Sequence, residues 1–82
     1  MDAELHARHL NALKVGFDGD VARSIEMLQD LVDEFPTEVE PLYDLAMTQM
    51  LVGHIEEACA NLHAVLRKNP NHSKALQQVT YC

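Results

Sequence analysis

Two pairs of residues carry the spacing a metal site needs. His6 and His9 lie three apart, and Cys59 and His63 lie four apart, so each pair would share one face of a helix. A tetrahedral site needs three or four ligands, and no third residue is spaced to complete either pair, so no metal is expected. Cys59 fits better as a small apolar core residue, and His54, His63 and His72 fall on outer faces or turns. Two cysteines, Cys59 and Cys82, are too few for a disulfide framework and are expected to make none. Ser24 falls at an inward position with no base beside it, so it is a packing residue rather than a nucleophile. Asp18-Gly19-Asp20 groups carboxylates around a glycine, yet the stretch is too short for a calcium loop and reads as a turn with a helix cap. There is no glycine-rich phosphate loop. The expectation is a protein without catalytic residues, metal or cofactor.

One cluster survives as a recognition feature. Asp30, Asp33, Glu34, Glu38 and Glu40 form an acidic edge that is either solvated or a dock for a Lys/Arg-rich partner. All 13 acidic residues of the 82-residue chain lie between Asp2 and Glu57, where Arg8, Lys14 and Arg23 leave a net charge of −10. From Ala58 onward there is no acid, and Arg67, Lys68 and Lys74 give +3. Phosphate would be repelled by the larger part, so nucleic acid is not an expected partner. No apolar run approaches the length of a membrane span, and the first ten residues, MDAELHARHL, lack the basic and apolar regions of a signal peptide. A reducing cytoplasm is the default location.

The elements that would position these residues repeat. Gly19 and Gly53 are 34 residues apart, as are Pro36 and Pro70, Leu28 and Leu62, Leu31 and Val65, and Val32 and Leu66. Small residues Ser24 and Ala58 share the offset, and so do Ile25 and Cys59. One period reads as a helical hairpin. Val39, Leu42, Leu45, Ala46, Met50 and Leu51 recur at helical spacing, Thr37 and Glu40 fit a capping box, and Pro41 suits a first turn. Gly53 ends that helix, and a second follows with Ile55, Ala58, Cys59, Leu62, Val65 and Leu66 inward until Asn69-Pro70-Asn71 stops it. Earlier, Asp2 is a candidate cap for a helix through about Val15 with Leu5, Ala12 and Val15 inward. After the Asp18-Gly19-Asp20 turn comes a helix carrying Val21, Ser24, Ile25, Leu28, Leu31 and Val32, closed by Phe35-Pro36. A terminal helix beginning near Asn71 shows Leu76 and Val79. The expected fold is all-α: an antiparallel array of about five helices in a single domain over residues 1–82, with repeats at about 5–38 and 39–72 and a terminal helix at about 72–82.

In the 34-residue frame, Leu42, Leu45, Ala46, Gly53, Ala58, Leu62 and Pro70 of the second repeat, with Ala12, Gly19, Ser24, Leu28 and Pro36 of the first, resemble the tetratricopeptide repeat family. Gln49 departs from that family's usual tyrosine, and Arg8 and Asn11 from its large apolar pair. The resemblance implies protein–protein interaction, with the first helix of each hairpin lining a concave groove for a peptide or helix. Carried over by position, the groove would hold His6, His9, Leu13, Gly16 and Phe17, then Glu40, Tyr43, Met47, Met50 and Leu51, then Lys74, Gln77 and Tyr81. Gly16 is expected to open a hollow beside Phe17. The family's carboxylate clamp is missing, because the matching places hold His9, Leu13, Glu40, Asp44 and Met47. An apolar adaptor groove is expected. The alternatives are a scaffold unit that forms a homodimer to bury its ends, and an acidic accessory subunit.

Overall fold

A computed structural model describes residues 3–82, so the cap expected at Asp2 lies outside the described residues. Among the described residues there are five helices and no strand. They are α1 (Ala3–Phe17), α2 (Val21–Glu34), α3 (Glu40–Leu51), α4 (Ile55–Lys68) and α5 (Ser73–Val79). Each packs on the next in chain order, as in a stacked helical array.

The backbone repeats with the period of the sequence. The Gly19 N–H donates to the carbonyl of Gly16 and the Asp20 N–H to that of Val15, both at 3.1 Å. Gly53 donates to Met50 at 3.1 Å and His54 to Gln49 at 2.9 Å, the same bonds 34 residues on. Both glycines have positive φ, 108° and 85°, the left-handed geometry that lets a helix end with its last carbonyls satisfied. The second helices end alike, with Phe35 N–H on Leu31 and Asn69 N–H on Val65, each at 2.8 Å. Asp20 caps α2 by accepting from the Arg23 N–H at 3.1 Å, as the turn reading anticipated.

Two caps differ from expectation. The helix expected from Val39 begins at Glu40 with Val39 as its N-cap, and no side chain caps it, so Thr37 and Glu40 form no capping box. Pro41 stands in its first turn, where a missing N–H costs nothing. The last helix begins at Ser73 rather than near Asn71, because His72 supplies its cap.

The core is thin and mostly leucine and alanine. Leu5, Ala12, Leu28, Leu31, Leu42, Leu45, Ala46, Ala58, Leu62, Val65 and Ala75 are buried. Small residues sit where helices approach most closely. Ser24 Oγ donates to the Ala12 carbonyl at 2.8 Å, and Ala46 and Ala58 are the equivalent pair in the second hairpin. Ile55, read as inward, is 44% exposed, while Leu51, which shares the apolar spacing of α3 and is expected in the groove, is 76% exposed and Leu76 is 46% exposed. For Leu51 the reason is phase. The buried stripe of α3 runs Leu42, Leu45, Ala46 and then Gln49, and two residues further round the helix, about 200°, lies in solvent.

The cysteines correct another expectation. Cys59 and Cys82 are joined by a disulfide with Cα atoms 5.8 Å apart, so Cys59 is not a free core thiol. Sequence spacing gave no hint of it because the two residues lie 23 apart and are brought together only when α5 packs back on α4.

A Cβ added at Gly16 would stand 2.9 Å from Ser24 Oγ and 3.1 Å from its Cβ. Gly16→Ala should therefore cost about 1–3 kcal/mol through overpacking, read as a lower urea midpoint at unchanged slope. An unchanged midpoint would mean that the helices do not approach as described.

Candidate functional site

The period that aligns Gly19 with Gly53 also aligns Phe17 with Leu51, 34 residues apart. Each is the last residue of its helix, α1 or α3, just before a glycine turn. Burial of the stripe one turn earlier leaves both side chains outside: Phe17 is 88% exposed and Leu51 is 76% exposed. Between them lies a hollow of about 100 Å³, lined by Leu13, Gly16 and Phe17 of α1, Val21 and Ser24 of α2, and Thr48 and Leu51 of α3. Gly16 forms part of its wall, where any side chain would run into Ser24. The hollow has room for one aliphatic side chain. Its lining is mainly apolar, with the hydroxyls of Ser24 and Thr48 at its wall.

The other residues assigned to the groove are distributed differently. Tyr43, Met47 and Met50 are half-buried and pack on the cluster of Leu42, Ala46, Leu62, Val65 and Ala75. Tyr43 also lies against His72, with ring centroids 5.0 Å apart. Burial first, then the negative charges of Asp44 and Glu40, raise the Tyr43 phenol above its ordinary range. Lys74 lines a separate polar cleft of about 300 Å³ with Glu40, Asn69, Asn71, His72 and Ser73. His6, Gln77 and Tyr81 are exposed, Tyr81 in the turn beyond α5. The structure thus brings Leu13, Phe17 and Leu51 together and puts Lys74 with Glu40 elsewhere.

Three polar links involving α3 were not legible in the pattern. His9 is buried and its Nε2 pairs with Asp44 Oδ2 at 2.6 Å, tying α1 to α3. That bond, rather than a metal shared with exposed His6, accounts for the His9 imidazole. Gln49, buried where the family usually has tyrosine, accepts at its Oε1 from Asn61 Nδ2 at 2.7 Å, tying α3 to α4. His72, read as an outer or turn residue, is buried. Its Nδ1 accepts the Ala75 N–H at 3.1 Å, so the ring proton sits on Nε2 and donates to Glu40 Oε1 at 3.1 Å. The available signal was a polar residue in an apolar phase at Gln49; the histidine partners lie 35 and 32 residues away and leave no local trace.

The acidic edge is partly engaged by its own chain. Glu34 Oε2 accepts from Arg8 Nη1 at 2.7 Å, Asp33 from Gln29 Nε2 at 2.9 Å, and Glu40 is bound by His72. Arg8 stands over the Phe35 ring at 5.9 Å, and its hydrogen bond to Glu34 raises its already high pKa. Asp30 and Glu38 make no comparable ion pair among the described residues.

The family model for the tetratricopeptide repeat matches residues 18–79. The chain belongs to the tetratricopeptide repeat family. This is in general a protein-interaction fold and typically a non-catalytic one. No curated protein matches the chain. No helix among the described residues is long and apolar enough to cross a membrane.

His72 serves as cap and bridge at once, so His72→Ala leaves the Ala75 N–H without an acceptor inside the protein. The expected loss is about 1–3 kcal/mol in chemical denaturation. Stability equal to the wild type would show that the imidazole does not hold the start of α5.

Proposed function

We propose that this repeat protein holds an amphipathic helix of a partner protein by taking one aliphatic side chain into the hollow between Phe17 and Leu51. The single observation that supports it is the pair of large apolar side chains, exposed at equivalent places in the two hairpins, on either side of an apolar hollow. Side chains already used for folding cannot supply such a surface, and this moves the emphasis of the groove from Met47 and Tyr43 to Phe17, Leu51 and Leu13. His6, His9, Lys74, Gln77 and Tyr81 do not line this hollow, and in this reading they take no part in holding the side chain. A partner carrying a terminal carboxylate is disfavoured, because the clamp positions hold His9, Leu13, Glu40, Asp44 and Met47. The acidic-accessory reading is weaker, since Asp33, Glu34 and Glu40 are already bonded within the chain. A cytoplasmic setting remains a proposal, and the Cys59–Cys82 disulfide weighs against it, because reducing compartments open exposed disulfides.

Selection from a library of displayed helical peptides tests the groove. Wild-type protein should enrich sequences with apolar residues at i, i+3 and i+4, and Phe17→Ala combined with Leu51→Glu should weaken their binding at least tenfold. Both positions are exposed, so the melting temperature should hardly move. Equal binding by the double variant would place the interaction elsewhere.

A homodimer is the second reading, favoured by Leu76, which is 46% exposed on the terminal helix. Light scattering should then give about twice the chain mass of 9.2 kDa, and Leu76→Glu should return it to the single-chain value. A wild-type protein that stays monomeric at high concentration excludes this reading.

A further inference from the structure

The terminal helix α5 has seven residues, too few to persist without tertiary support. Its support comes from three places. At its start, His72 caps it and bonds Glu40. Along its length, Ala75 is fully buried among Leu42, Ala46, Leu62 and Val65, and Val79 packs on the same cluster. Past its end, Cys82 is bonded to Cys59 of α4, closing a loop with a sequence separation of 23. Cys82 is exposed and Cys59 is half-buried, so the bond lies at the surface end of the contact rather than in the core.

We propose that the Cys59–Cys82 disulfide is a redox latch on α5. With the bond closed, α5 is held over the apolar face that α3 and α4 present. A dithiol reductant opens it by thiol–disulfide exchange. One thiolate of the reductant attacks a sulfur of the pair and forms a mixed disulfide, and its second thiol then displaces that sulfur. The reductant ends as a disulfide, having given up two electrons and two protons, and Cys59 and Cys82 end as thiols. Loss of the cross-link restores the chain entropy of the open loop, so α5 swings away far more often and bares Leu42, Ala46, Leu62 and Val65. The device is separate from the hollow at Phe17 and Leu51, which lies among α1, α2 and the end of α3.

Hydrogen exchange on the full chain, with and without dithiothreitol, tests the latch. Amides of Ala75–Val79 should exchange on the order of 100-fold faster after reduction, while those of Leu45 and Ala46 change little. The Cys82→Ser variant, altered at an exposed position that leaves the core intact, should show the fast exchange from the start and no response to reductant. Three results would each overturn the proposal. One is two alkylatable thiols in the air-oxidised native protein; another is α5 exchange indifferent to reductant; the third is an equal rise across all five helices, which would make the bond a general stabiliser.

Discussion

Close approach of paired helices at small side chains is the constraint on which the remaining structure depends. Ala12 faces Ser24 in the first hairpin, and Ala46 and Ala58 hold the corresponding places in the second. Where side chains are this small, two helix backbones come near enough for a serine hydroxyl on one to reach a main-chain carbonyl on the other. The leucines on either side can then interlock to full burial, each contributing about 1.5–3 kcal/mol against its exposed state. Gly16 extends the same rule by one turn. Its missing side chain admits Ser24 and, in doing so, helps shape the hollow that α3 closes with Thr48 and Leu51.

A second layer of organisation is polar and centres on α3. Asp44 binds His9 of α1, Gln49 binds Asn61 of α4, and Glu40 binds His72 at the head of α5. Apolar stripes tolerate sliding, because burial is non-directional. Hydrogen bonds between half-buried groups do not, since a shift of a turn would leave a polar atom unsatisfied. No buried side-chain nitrogen or oxygen lacks a partner among the described residues, so the layer is complete there. It fixes the register of α1, α4 and α5 against α3, and with that register the positions of Phe17 and Leu51.

The candidate interaction surface follows from economy of a small core. An array this size, 29 × 27 × 18 Å, has few apolar residues to spare. Most of the methionine and tyrosine side chains that could have lined a groove are drawn into packing around Ala75. Among the large apolar side chains left exposed, Phe17 and Leu51 are the two that flank the hollow. Part of the acidic edge is bonded internally, Glu34 to Arg8 and Asp33 to Gln29.

The helical hairpins, their 34-residue period, the glycine turns at Gly19 and Gly53 and the small-residue contacts are all legible in the residue pattern. All of these are local or periodic, written in the spacing of neighbours. The family frame, rather than spacing, raised the expectation of a hollow at Gly16 beside Phe17. Which apolar residues stay outside emerged from helix packing, since Leu51 and Met50 differ by one position but by about 100° around α3. The tertiary structure alone decided that His9 and His72 are buried and bonded, and that Cys59 meets Cys82. Those pairings join residues 23 to 35 positions apart, and nothing in local chemistry selects one distant partner over another until the helices have stacked.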